Sequence, residues 1–227
     1  MKKIFLLPLL LFLTGCNITV LDPKSDTASE QAFLIEFSFW IMMFVVVTVF
    51  ILFTYFVIKY RYTETRKHDL PQDVKGNIKL EITWITIPVL LLIVLAVPTL
   101  AITYDQSPQW TEESDQSGVV IDVVGKQFNW TFTHANGTEE MDKLVIPEGE
   151  SIVLNLKSAD VIHSFWVPQL GGKVDVIPGK ELTYEINNPK KGTYQGKCAE
   201  YCGLGHTDMT FEVKVVSKQA YEQYLQK

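Results

Sequence analysis

The sequence predicts an α+β membrane protein, with an N-terminal two-helix transmembrane hairpin followed by a β-sandwich or barrel. Three observations carry this. Phe37 to Ile58 and Ile82 to Tyr104 contain no charged side chain over 22 and 23 residues; at a rise of roughly 1.5 Å per residue, either run crosses a bilayer. From Val119 onward the pattern changes to short runs rich in Val, Ile, Phe and Thr, separated by Gly, Pro and Asn turn signals. Between the two runs lies a basic loop, as expected where a hairpin turns on the cytoplasmic side.

With 227 residues, 47% apolar content and a net charge of -6, the chain holds about one small domain once the membrane segments are removed. Met1-Lys2-Lys3 followed by Ile4 to Leu13 has the charged start and short apolar core of a secretory signal. Leu13-Thr14-Gly15-Cys16 reads as a lipobox. Residues 1–15 are therefore expected to be a signal peptide and Cys16 the lipidated residue; an ordinary membrane anchor is the alternative, for which the apolar run is short. Residues 16–36 read as a polar, extracytoplasmic linker, and residues 37–104 as the hairpin, with its cytoplasmic loop at 59–81.

Lys59, Arg61, Arg66, Lys67, Lys75 and Lys79 are six of the nine basic residues that precede Asp105, which places that loop inside and both flanks outside. Pro88 and Pro98 interrupt the second run. Kinked spans are tolerated where neighbouring helices satisfy the freed backbone. Glu81 opens the second span; a helix-start carboxylate favoured by the helix dipole is its plainest reading.

Residues 105–117 form a polar connector. Val119 to Val124, Phe128 to Thr133, Lys143 to Ile146, Ile152 to Leu156, Leu182 to Ile186 and Thr210 to Val216 read as strands within a domain at 118–217, and residues 218–227 as a closing helix. From Asp105 to Lys227 there are 18 acidic residues against 11 lysines and no arginine. Solubility is the plainer reading of that balance; such a domain would also steer a basic partner, and no nucleic-acid patch appears in the sequence. No internal repeat, phosphate-binding glycine loop or C-x-x-C-H haem-attachment motif occurs in the sequence.

The chemistry concentrates in Lys197-Cys198-Ala199-Glu200-Tyr201-Cys202-Gly203-Leu204-Gly205-His206-Thr207-Asp208-Met209, which offers two thiols, an imidazole and a thioether in one loop. Soft sulfur with imidazole is a copper donor set. His163, in Asp160-Val161-Ile162-His163-Ser164-Phe165-Trp166, is the candidate for a missing ligand, on the edge of another strand. A mononuclear blue-copper site uses one Cys, two His and a weak axial Met, so the second thiolate is surplus. Two thiolates can instead bridge two coppers, with one His for each and weak axial positions for Met209 and a carbonyl near Glu200. A Cys198–Cys202 disulfide, a Cys2His2 zinc site and a copper-delivery protein with a C-x-x-x-C pair are the competing readings. Histidines on both sides of the Cys pair, together with Met209, weigh against all three.

These motifs, with Val174-Asp175-Val176-Ile177-Pro178-Gly179 and Leu80-Glu81-Ile82-Thr83-Trp84-Ile85-Thr86-Ile87-Pro88, resemble subunit II of the haem-copper oxidases, in its bacterial lipoprotein form. The resemblance covers most of the mature chain. It implies a cupredoxin-like Greek-key domain with a binuclear copper A centre on the outer face of a bacterial cell membrane. Cys198 and Cys202 would bridge the coppers, His163 and His206 would be terminal ligands, and Met209 and the Glu200 carbonyl would be axial. Also implied are magnesium shared with subunit I through the Glu200 carboxylate and a proton-path mouth at Glu81. The partners would be oxidase subunit I and other oxidase subunits, with the haems confined to them. Cytochrome c would be the electron donor.

One departure stands out. Many members of that family carry Trp where this chain has Phe128, and that Trp is the usual point at which electrons enter; Trp130 is retained. Phe128 and Trp130 are the expected electron-transfer residues, and alternate packing on one face of a strand is the plainer reading. Rival functions are a copper A subunit of a related enzyme such as a nitric oxide reductase, and a membrane-tethered copper-binding or copper-delivery lipoprotein. Quinol-oxidase relatives, which usually lack the Cys pair, are disfavoured.

Overall fold

A computed structural model describes residues 18–66, 73, 75–111 and 117–226. The signal segment and Cys16 lie outside the described residues, as does Lys67. The chain divides into two compact units, Phe33–Asp105 and the remainder.

In the first unit, helix α1 (Asp26–Tyr60, which begins in the other unit) and helix α2 (Ile78–Asp105) carry the two charge-free runs. From residue 33 to residue 105, none of the described side chains is buried. Trp40, Ile58 and Leu100 are each more than 60% exposed, as are many neighbours, and apolar surface on this scale needs lipid or partner helices to cover it. Several hydroxyls in the helices are satisfied internally. The hydroxyls of Thr48, Thr83 and Thr99 each donate to the carbonyl four residues back, at 2.8 Å. Asn77 caps α2, its Oδ1 accepting from the backbone N–H of Lys79 at 3.1 Å. Glu81 lies in the first turn of α2 and Pro88 and Pro98 inside it.

The second unit is a two-sheet sandwich. Its strands are β1 (Gln109–Trp110), β2 (Val119–Lys126), β3 (Asn129–His134), β4 (Glu139–Met141), β5 (Lys143–Pro147), β6 (Ser151–Ser158), β7 (His163–Trp166), β8 (Val174–Val176), β9 (Glu181–Asn187), β10 (Gly192–Cys198) and β11 (Thr210–Val216). One sheet runs β1-β9-β6-β2-β3-β4 and the other β5-β11-β10-β7-β8. The pairs β2–β6 and β5–β11 are parallel and the other neighbours antiparallel, so the strand order in each sheet departs from the sequence order as a Greek-key sandwich requires. Alternation sets the core: β3 buries Trp130, Phe132 and His134 while the residues between them stay partly exposed.

An aromatic group joins the sheets. The Trp130 and Phe165 rings lie 5.7 Å apart, Phe165 and Phe211 5.0 Å, and Phe132 and Phe211 5.3 Å, in the range where aromatic pairs attract. Gly196, opposite Phe211 on β10, makes room for it; a Cβ there would come within 2.1 Å of that ring. Helix α3 (Lys218–Leu225) is capped by Ser217 and buries Tyr221, whose hydroxyl meets His134 Nδ1 at 2.9 Å. Burial lowers the pKa of that imidazole, with a smaller opposing pull from Glu140.

Two sequence expectations are corrected. Asp26 to Gln31, expected within a solvated linker, are already helical, and Ser25, Thr27, Ala28 and Ala32 are buried. The Ser25 hydroxyl accepts from Ala28 N–H at 2.9 Å and donates to the Leu170 carbonyl at 2.6 Å. A cap that is also a tertiary contact holds this turn on the sandwich, which a composition-based reading cannot see. Phe128, expected at the start of a strand on the same face as Trp130, instead sits in the two-residue turn between β2 and β3, 38% exposed, while Trp130 is fully buried.

Candidate metal centre

The loop from Cys198 to Met209 joins β10 to β11 at one end of the sandwich. Its two ends are fastened, because Cys198 N–H donates to the Met209 carbonyl at 2.9 Å. The first Cys closes strand β10, paired with Phe165 of β7, and that register brings in His163, which is distant in sequence. A short 3-10 turn, His206–Asp208, delivers His206, and Met209 follows it, fully buried.

The donors form a compact set. Cys198 Sγ and Cys202 Sγ are 3.8 Å apart, far beyond a disulfide bond of roughly 2.05 Å. His163 Nδ1 lies 3.8 Å from Cys198 Sγ, and His206 Nδ1 lies 3.7 Å from Cys202 Sγ. Met209 Sδ is 3.7 Å from Cys202 Sγ, and the Glu200 carbonyl oxygen 3.2 Å from Cys198 Sγ. Thus each sulfur has one imidazole and one weaker donor beside it. His163, Cys198 and Cys202 form the tightest group, all buried, with ligand atoms within 4.8 Å of one another.

Asp160 orients the set. Its carboxylate accepts from His163 Nε2 at 2.8 Å, from Gln127 N–H at 2.8 Å and from Val161 N–H at 2.6 Å. Burial of the carboxyl, which alone would raise its pKa, is outweighed by these bonds, and the group is held below the usual carboxylate range. With Nε2–H donating to Asp160, His163 turns Nδ1 toward the sulfurs. Burial, and next the neighbouring Cys198, push the Cys202 thiol up to about 11. The Cys202 thiol thus resists ionising in the absence of a cation, and a soft thiophilic ion, drawn also to imidazole and thioether, fits this donor set.

The remaining expected residues fall around the set or away from it. The Glu200 residue is exposed and presents its carbonyl to Cys198. Trp130 forms the floor beneath His163, with ring centroids 5.9 Å apart, and is not at the surface. The Phe128 ring lies against Gly203 and Gly205, where added Cβ atoms would stand 3.2 Å and 2.6 Å from it. Glu81 belongs to the other unit. Sequence reading missed Asp160 and Gln127 as supports; the signal available was Asp160 three residues before His163, in a segment already singled out.

A Cys2His2Met set, buried except for the partly exposed His206, at the loop end of a two-sheet Greek-key sandwich, on a chain with two membrane-spanning helices, defines a membrane-tethered cupredoxin-like protein. Two family profiles match it: "Cytochrome C oxidase subunit II, transmembrane domain" over residues 14–102 and "Cytochrome C oxidase subunit II, periplasmic domain" over residues 137–216. Cytochrome c oxidase subunit 2 of Alkalihalophilus pseudofirmus is 38% identical over 96% of this chain and 65% of its own length. Quinol oxidase subunit 2 of Bacillus cereus is 35% identical over 96% of this chain and 76% of its own. The solved periplasmic domain of subunit II of cytochrome oxidase from Bradyrhizobium japonicum aligns at 26% identity and a TM-score of 0.46, over 48% of this chain and 91% of that one. The chain belongs to the cytochrome c oxidase subunit II family, whose members are subunits of haem-copper terminal oxidases, both cytochrome c and quinol oxidases. This chain spans just under two thirds of the first of those relatives.

Proposed function

We propose that this chain is the electron-accepting subunit of a respiratory cytochrome c oxidase, taking electrons at a binuclear copper A centre outside the membrane and passing them to haem in subunit I, where oxygen is reduced. The observation that carries the reading is the pair of sulfurs 3.8 Å apart, each with its own imidazole at under 4 Å. When bound, a dicopper pair supplies one-electron transfer shared over two metals. Cys198, Cys202, His163, His206 and Met209, with the Glu200 carbonyl, would hold it. Trp130, Phe165 and Phe211 exclude water from the inner side, and a dry, rigid site reorganises little on electron transfer.

The donor reading rests on surface chemistry. Phe128 gives a partly exposed aromatic edge directly on the loop, and Tyr201 and Leu204 are 71% and 98% exposed beside it. An apolar patch on an acidic domain suits a basic one-electron carrier such as cytochrome c. Several relatives are quinol oxidase subunits; the intact Cys and His set favours the cytochrome. Glu200, exposed between the two Cys, would reach magnesium shared with subunit I, a hard cation suited to its carboxylate, and Glu81 would stand at the mouth of the proton path. The hairpin would sit in a bacterial cell membrane, with Cys16 lipidated.

Copper analysis and electron spin resonance on the purified full chain test the metal: two coppers per chain and a signal from one electron shared over both are expected. A single type-1 or type-2 copper overturns the binuclear reading. Oxygen uptake by the intact complex with reduced cytochrome c, compared with quinol, decides the donor.

A further inference from the structure

The turn between β2 and β3 touches both the metal loop and the carboxylate that supports His163. Gln127 Nε2 donates to the Cys202 carbonyl at 2.6 Å. Gln127 N–H donates to Asp160, which also holds His163. The Phe128 ring covers Gly203 and Gly205, and a Cβ at Gly203 would come within 2.9 Å of Gln127 Nε2. The two cysteines are otherwise held very differently. Cys198 is the last residue of β10, paired across to β7 and bonded to Met209. Cys202 lies outside every strand, and the peptide that follows it leads into Gly203 at φ +132°, a conformation glycine adopts freely and other residues rarely do.

The orientation of the Cys202–Gly203 peptide fixes two donors at once. It aims Cys202 Sγ, and it begins the turn in which His206 N–H bonds the Gly203 carbonyl at 3.1 Å. We propose that Gln127 is a positioning residue of the metal centre, its side-chain amide clasping the Cys202 carbonyl so that Cys202 and His206 keep their places in the donor set. Because its backbone N–H also bonds Asp160, one residue of the β2–β3 turn braces both ends of the set. The metal side of this inference rests on the copper reading above; the clasp itself concerns the loop with or without metal.

The test uses the full chain in detergent, with Gln127→Glu, which keeps the size and replaces the donor by a carboxylate, and Gln127→Leu, which removes it without adding charge. Both leave the backbone bond to Asp160 available. In reduced, metal-free protein, iodoacetamide alkylation is followed at each thiol by peptide mass spectrometry. Cys202 is expected to react roughly three- to tenfold faster in both variants, the size of one lost neutral hydrogen bond, with Cys198 unchanged. In copper-loaded protein, the paramagnetically shifted β-methylene proton resonances of Cys202 are expected to move while those of Cys198 stay. No change in either variant, or equal acceleration at both thiols, overturns the clasp. A wild-type spectrum without a shared electron, combined with selective acceleration at Cys202, overturns the copper reading and leaves the clasp standing.

Discussion

The two ends of the donor set are built by different means. His163 belongs to strand β7, has no exposed surface, and is held by Asp160 on one side and the Trp130 ring on the other. His206 stands in a single 3-10 turn, partly exposed, with its ring against Tyr201 at a centroid distance of 5.9 Å. One end is part of the hydrophobic core and shares its rigidity; the other is a loop whose shape depends on glycines and a few hydrogen bonds. The difference teaches that the sandwich supplies a fixed half-site onto which the loop folds the second half. Solvent reaches the set on the loop side, where His206 is partly exposed.

The largest expected effect removes what the two ends share. Cys198→Ser and Cys202→Ser should each abolish the shared-electron resonance signal, since a hydroxyl is a poor substitute for a bridging thiolate. If either variant keeps that signal, the bridging assignment is wrong. Next in size, His163→Ala and His206→Ala should differ in rescue. Added imidazole should restore the two-copper spectrum of the His206 variant through the partly open loop, and fail with the His163 variant, whose ring leaves a sealed cavity beside Trp130. Equal rescue of both would erase the contrast between a core end and a loop end.

How much of this was legible beforehand depends on distance along the chain. The spacing of Cys198, Cys202, His206 and Met209 is local, so one loop displays its donors to any reader of the sequence. His163 is brought in by the pairing of β7 with β10, and was found from the chemistry the loop lacked. Gln127 and Asp160 were missed as supports because a lone Gln or Asp in a turn has no pattern until topology gives it a neighbour. Strand β10 was missed as well: Gly192-Thr193-Tyr194-Gln195-Gly196-Lys197 has two glycines and few branched residues, and it is a strand because β11 and β7 pair with it. The membrane runs were legible in full, since lipid demands long apolar sequence and little else.

A moderate effect would sharpen the contrast from the buried end. Asp160→Asn keeps the shape of the side chain and weakens its acceptance from His163 Nε2, so the imidazole loses its charged partner. Loss of such a support costs on the order of 10- to 100-fold in metal affinity. Competition with a copper chelator should show that loss, and the histidine ring protons of His163 should shift while those of His206 hold their positions. Equal shifts at both rings would mean that Asp160 acts through the general fold.

The smallest effect belongs to Met209, which lies at the seam between the two ends. Its side chain is fully buried, with Sδ 3.7 Å from Cys202 Sγ, and its carbonyl accepts from Cys198 N–H at 2.9 Å. That backbone bond closes the loop and does not depend on the side chain. Met209→Leu nearly conserves volume, and such swaps usually cost under about 1.5 kcal/mol, so the loop should keep its shape and both coppers. What is lost is a weak thioether donor on the Cys202 side. Axial ligands tune copper potentials, and removing electron donation disfavours the oxidised form, so the reduction potential should rise. The expected rise is less than ~59 mV, the equivalent of tenfold for one electron. Potentiometric titration followed at the visible absorption bands measures it. A fall in potential, or loss of one copper, would show Met209 to be holding the metal rather than tuning it.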